Sequence, residues 1–166
     1  GCRVLHFLKK HAGALQGKQV VVLGSQTPWI ECQLLRIGAS VTTVDYGNIH
    51  TTLPNLTTIM WPDLASHYLN RGSLFDVAIS YSSLEHSGLG RYGDPLNPFG
   101  DLEAAAQTYC LLRPNGMFFL GVPTARRDYL YWNTHRIYGP LRLPHLTANF
   151  RHLDMNLNVT GSTLVG

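Results

Sequence analysis

The chain has 166 residues with 45% hydrophobic and 14% charged side chains and a formal net charge of +3 at pH 7, one domain's length with enough apolar material for its own core. Disorder is excluded. The 13 Lys and Arg are scattered, with Lys9-Lys10 and Arg126-Arg127 the only doublets, so no concentrated basic stripe marks a nucleic-acid surface.

No apolar run reaches the length of a membrane span, and no signal-peptide pattern opens the chain. Cys2, Cys32 and Cys110 are odd in number and far apart, and the last two sit in apolar, helix-like surroundings. They read as buried thiols, neither a disulfide frame nor a zinc site, in a reducing cytoplasmic setting. Asn55-Leu56-Thr57 and Asn158-Val159-Thr160 match the glycosylation pattern. A start at Gly1, without Met and already in helix-like sequence, predicts a fragment.

In chain order, Val4, Leu5, Phe7, Leu8 and Leu15 form a helical stripe up to Gly13 or Gly17, and Gln19 to Leu23 is a continuous apolar strand. A helix is predicted from Pro28 to about Ile37, with Thr27 as N-cap, Pro28 at the first helical position, Glu31 in the first turn and Gly38 closing the end. Val41 to Val44 and Leu56 to Met60 read as the second and third strands, and Asp63 to Asn70 as a helix. Phe75 to Tyr81 is the fourth strand, Leu102 to Leu112 a helix ended by Pro114-Asn115-Gly116, and Met117 to Val122 the fifth strand. Strands alternating with helices predict a doubly wound α/β fold, a mainly parallel sheet of order 3-2-1-4-5 covered on both faces.

Asp45 lies 21 residues after Gly24 at the end of a β-branched run, the place where a nucleotide-cradling unit sets a carboxylate against ribose hydroxyls. The turn separates two cofactors. A dinucleotide pyrophosphate needs further glycines where Gln26 and Trp29 stand, which disfavours NAD. S-adenosylmethionine carries no phosphate and tolerates a bulkier loop. The segment from Ser87 to Gly100 is the one long irregular stretch, and it follows the carboxyl end of strand four, where open α/β sheets keep ligands.

With these elements in place the chain resembles the class I S-adenosylmethionine-dependent methyltransferases, a Rossmann-like fold. Gly24 stands at the first motif and Asp45 at the ribose position, Asp63 where the family reads the adenine amine, Phe75 to His86 at the fourth motif, and Leu112 to Leu120 at the turn into strand five. More narrowly, Gly24 to Glu31, Ser80 to Asp94 and His135 to Pro140 resemble the Caenorhabditis protein of unknown function family. The resemblance implies a single methyltransferase-like domain over residues 1–166, ending before the family's terminal hairpin. It implies S-adenosylmethionine as cofactor, held by Gly24, Ser25, Gln26, Asp45, Asp63 and Ser80, and a small-molecule or saccharide-like hydroxyl as methyl acceptor. The reduced first motif and Trp29 in its turn support the alternative, a catalytically degenerate binding or scaffolding module.

Each candidate also has a plain structural reading. Asp45 competes with a strand-end cap, and Asp63 with an ordinary helix N-terminus. His86, beside Glu85 at the mouth of the sheet, is the candidate general base, because histidine changes charge near neutrality; the pair also reads as a loop cap. Arg91, Tyr92 and Asp94 are expected to meet substrate from a glycine-hinged lid, against an ordered loop packed by Leu89, Tyr92 and Phe99. His135 and Arg136, with Tyr138, complete the substrate side, Arg136 holding a carboxylate or phosphate. No short ligand spacing supports a metal. Tyr129, Tyr131 and Trp132 read as a surface-to-core anchor.

Overall fold

The computed structural model describes residues 2–68, 74–155 and 162–165. An apolar run buried on both sides needs strands for neighbours, and β1 (Gln19–Leu23) has them: it pairs in parallel with β2 (Ser40–Asp45) and with β4 (Phe75–Tyr81). β3 (Leu56–Met60) extends the sheet beyond β2, and β5 (Leu112–Gly121) extends it beyond β4. The parallel order β3-β2-β1-β4-β5 is the one expected, with the reversal of progression between β1 and β4.

Alternate side chains of each strand feed two cores. On one face Val20, Val22, Val77, Ile79 and Phe119 pack under α1 (Cys2–Lys10), α2 (Ala12–Leu15) and α3 (Trp29–Ile37) through Leu8, Leu15, Ile30 and Leu34. On the other Val21, Leu23, Ala78, Phe118 and Leu120 pack against α4 (Leu64–Tyr68), α5 (Gly100–Leu111) and α6 (Leu143–Leu146). Phe118 and Tyr138 are wholly buried there. Removing a ring of that kind costs about 3–5 kcal/mol.

Several expectations are corrected. α3 starts at Trp29 with Pro28 at its cap and no side-chain cap bond, so Thr27 does not cap it; its C-terminal end closes at Gly38 as expected, with φ 90° and amide bonds back to Leu34 and Leu35 carbonyls. The helix predicted from Asp63 is a 3-10 turn at Trp61–Asp63 running into the short α4, and its expected end falls outside the described residues. β5 begins at Leu112, because Pro114-Asn115-Gly116, with Asn115 at φ 64°, enters the strand as an irregularity instead of separating helix from strand. Cys110 is exposed and Cys32 half-buried, so neither is the buried thiol expected.

Two further strands follow the parallel five. β8 (Arg151–Met155) and β9 (Ser162–Val165) pair antiparallel, and β9 adds antiparallel to β5, giving seven strands. A separate hairpin, β6 (Tyr129–Tyr131) with β7 (His135–Ile137), stands apart from the main sheet. Asn158 of the second sequon lies outside the described residues. None of the described helices is long and apolar enough to cross a membrane.

Candidate cofactor and acceptor cavity

At the carboxyl ends of β1, β2 and β4 the loops part around a cavity of about 650 Å³, within the size range of small-molecule sites. Its position follows from topology. Loops leaving β1 and β4 go to opposite faces of the sheet and leave a crevice between them. Gly24 makes the floor of the turn: its φ is 75°, its amide donates to the Val44 carbonyl at 2.8 Å, and a Cβ there would sit 2.0 Å from Ser83 Oγ. Only glycine accepts both that conformation and that approach.

Asp45 closes β2 and points its carboxylate into the same turn. Oδ2 accepts the Ser25 amide at 2.8 Å, and Oδ1 accepts the Gly47 amide at 2.7 Å. Each oxygen keeps a second lone pair, so the strand-end cap and a ligand contact are compatible in one side chain. Gln26, Thr27 and Trp29 continue this wall. Tyr46 and Trp61, which also border the cavity, stack with ring centres 5.8 Å apart and planes 16° off parallel. Burial, with the negative charges of Asp94 and Glu103, raises the Tyr46 pKa, so its phenol stays protonated.

The acceptor-side wall comes from the turn after β4. Ser82 sits at φ 53°, a conformation uncommon for a side-chain-bearing residue, held by its amide bond to the Gly121 carbonyl at 2.8 Å. Its hydroxyl donates to Glu85 Oε1 at 2.8 Å. Glu85 is 2% exposed and its Oε2 has no hydrogen-bond partner. Desolvation pushes the Glu85 pKa up, against the lowering pull of the Ser82 hydroxyl, its own amide, His86 and His135.

His86 reaches the cavity wall with its Nδ1 2.5 Å from the Thr134 carbonyl oxygen and its Nε2 3.8 Å from Glu85 Oε1. A carbonyl only accepts, so Nδ1 carries the proton and the lone pair of the neutral ring lies on Nε2. The Tyr92 ring stands edge-on to it at 5.3 Å.

The remaining site candidates separate into wall and frame. Gly24, Ser25, Gln26, Asp45, His86, Tyr92 and Asp94 border the cavity; Asp63, Ser80, Glu85, Arg91, His135 and Arg136 are not part of its wall. Asp63 is exposed on the 3-10 turn, two residues beyond Trp61, which does border it. Ser80 is fully buried in β4, its hydroxyl without a hydrogen-bond partner. His135 lies behind His86, ring centres 6.1 Å apart. Arg91 is exposed, donates to the Asn133 carbonyl at 3.1 Å and sits 5.7 Å from the Tyr92 ring centre.

The segment from Ser87 to Gly100 is fastened. Asp94, 6% exposed, accepts the Gly88 amide at 2.6 Å, the Gly90 amide at 3.1 Å and the Tyr92 amide at 3.2 Å, while Leu89 is buried and Phe99 stays 59% exposed. Arg136, 4% exposed, donates to the carbonyls of Ser87 at 2.5 Å, Pro98 at 3.4 Å and Glu85 at 3.5 Å. Asp101, wholly buried at the start of α5, accepts Tyr138 Oη at 2.9 Å and two Arg142 nitrogens at 2.8 and 2.5 Å, and lies 3.7 Å from Arg136 Nε. Asp94 and Arg136 thus hold the loop itself. Tyr46, Trp61, Ser82 and Asp101 were not singled out from the sequence; the first two are aromatics immediately following β2 and β3, a signal that sequence does carry.

Two carboxylates, Asp45 and Asp94, border the cavity, and among the described residues neither Lys nor Arg does. A phosphate-bearing nucleotide would lack a counter-charge there. A ligand with a ribose, an aromatic base and a cationic sulfur fits this set: a carboxylate with spare lone pairs, a stacked aromatic pair and an acidic balance. Among the described residues no group of three or more His, Cys, Asp or Glu is placed to hold a metal ion.

The family model described as Caenorhabditis protein of unknown function, DUF268, matches residues 17–161. No curated protein matches the chain. Solved structures do. The 1,6-didemethyltoxoflavin-N1-methyltransferase of Burkholderia thailandensis, determined with bound 1,6-didemethyltoxoflavin and S-adenosylhomocysteine, is 20% identical with a TM-score of 0.72, covering 98% of this chain and 76% of that one. An S-adenosylmethionine-dependent methyltransferase of Mesorhizobium loti is 13% identical with a TM-score of 0.62, over 96% and 97% of the two chains. The cyclase SpnF is 17% identical with a TM-score of 0.68, over 92% of this chain and 57% of its own. At these identities the likeness establishes a Rossmann-like, class I methyltransferase fold.

Proposed function

The chain belongs to the Caenorhabditis protein of unknown function family, and from that premise and the cavity we propose that it is an S-adenosylmethionine-dependent methyltransferase acting on a hydroxyl of a small or saccharide-like molecule. The observation that carries the reading is the composition of one wall. Asp45, with a spare lone pair on each oxygen, faces the crevice beside the Gly24 turn, and among the described residues no Lys or Arg borders the cavity to recruit a phosphate.

Asp45 would hold the ribose hydroxyls, the Tyr46–Trp61 pair would flank the base, and the Gly24 to Gln26 backbone would receive the amino-acid end. When bound, S-adenosylmethionine supplies an electrophilic methyl group on a sulfonium. The chain's own part is to place an acceptor oxygen in line and to take its proton. His86 is built for the second task, since the Thr134 carbonyl fixes the proton on Nδ1 and leaves Nε2 as the accepting atom. Glu85, protonated more readily than an ordinary glutamate, limits the negative charge next to that ring.

A thermal-shift panel of S-adenosylmethionine, S-adenosylhomocysteine, NAD and a nucleotide sugar tests this. At about 100 times Kd, a ligand adds roughly 2.7 kcal/mol, about 5–10 °C for a chain of this size. Selective stabilisation by the two adenosyl sulfur compounds is expected. Stabilisation by NAD or the nucleotide sugar instead contradicts the reading, and no shift with any of the four returns it to a scaffolding module.

A further inference from the structure

Most large apolar side chains of a folded domain are covered, and a consecutive uncovered group therefore calls for an occupant. In the β6–β7 hairpin Tyr129, Leu130, Tyr131 and Trp132 are 49%, 60%, 52% and 67% exposed. Leu141, 77% exposed, sits at its base, because Asp128 accepts the amides of Gly139, Leu141 and Arg142. The surface-to-core anchor expected of these aromatics is not what forms. They point to water.

The sequence beside them is mostly basic: from Thr124 to Arg142 it carries Arg126, Arg127, Arg136 and Arg142 against Asp128. Arg136 and Arg142 are paired with Asp101. Arg126 and Arg127, immediately before the hairpin, are exposed and have no carboxylate partner among the described residues. Asp128 does not offset them outward. Its slight burial acts to raise its pKa, the backbone donors of Gly139, Leu141, Arg142 and its own amide outweigh that, and its charge is committed to the turn.

Trp and Tyr beside Leu, flanked by free arginines, match a lipid headgroup region, where amphipathic rings settle at the apolar boundary and arginine meets anionic lipid. We propose that the β6–β7 hairpin, through Leu130 and Trp132 with Arg126 and Arg127, docks the protein peripherally on an anionic membrane surface. The hairpin also carries the Thr134 carbonyl that orients His86, so docking places the cavity beside the lipid. The docking stands independently of the methyl-transfer reading.

Co-sedimentation of the full chain with vesicles of phosphatidylcholine alone, and with about 30% phosphatidylserine added, tests it. Sedimentation is expected with the anionic vesicles, weakened by added salt, and near background with the neutral ones. Arg126→Gln with Arg127→Gln, and separately Leu130→Ala with Trp132→Ala, should each lower vesicle affinity about tenfold while leaving the melting temperature unchanged. A blue shift of emission on vesicle addition, lost in Trp132→Phe, places the indole at the boundary. No sedimentation with anionic vesicles, or sedimentation indifferent to both double variants, overturns the proposal. A dimer in size-exclusion chromatography that Leu130→Ala with Trp132→Ala dissolves also overturns it, giving the face to a second copy of the chain.

Discussion

The two walls of the cavity are built by different physics. On the β1–β2 side Asp45 is half-exposed and holds two amides, beside the Gly24 turn, Gln26, Thr27, Trp29 and the stacked Tyr46 and Trp61 rings. On the β4 side Glu85, Asp94 and Asp101 are all buried, and Arg136 with Arg142 fastens the loop to α5 and the hairpin. A buried charge network is a frame that tolerates no gaps. A half-exposed carboxylate with spare lone pairs is available to a ligand. The first wall should therefore lose binding when altered, and the second should lose the fold.

Asp101→Ala is the strongest way to break this contrast. It strips Arg136, Arg142 and Tyr138 of a shared acceptor, and uncovering buried charge of this kind costs about 3–5 kcal/mol, to be read as a fall in the urea midpoint. Gly24→Ala tests the β1 turn: the left-handed backbone and the Ser83 contact together should cost about 2 kcal/mol and remove any ligand-induced thermal shift. Asp45→Asn keeps one acceptor oxygen, and its melting temperature should fall by no more than about 3 °C.

The smallest effect is a change with pH. Because the Glu85 pKa is raised in the folded chain, the native state binds more protons than the unfolded one between the ordinary glutamate pKa and the raised value. Stability should fall as pH rises through that window. Glu85→Gln should lack this component, so that its melting temperature, compared with that of the unaltered chain, gains on going from pH 5 to pH 8. A difference constant across that range contradicts the burial argument.

Much of the frame was legible in sequence because β1, β2 and β4 are apolar runs bounded by turn residues, a pattern with few alternatives. The β6–β7 hairpin was not, since Tyr129-Leu130-Tyr131 is three residues long, exposed throughout, and shows no alternation to read. Gly24, Asp45 and His86 were visible through their distance from strand ends. The roles of Asp94 and Arg136 were not, because a charged residue looks the same in sequence whether it meets a ligand or a carbonyl, and Arg136 bonds groups 38 to 51 positions away. Burial decides that, and burial is a property of the fold.

Isothermal titration of S-adenosylhomocysteine into the chain and into Asp45→Ala tests the central claim most directly. A dissociation constant of about micromolar order, roughly 8 kcal/mol, is predicted for the unaltered protein, weakened about ten- to a hundredfold in the variant by loss of hydrogen bonds to a charged acceptor. Absence of heat with the unaltered chain, or equal affinity in both proteins, would contradict it.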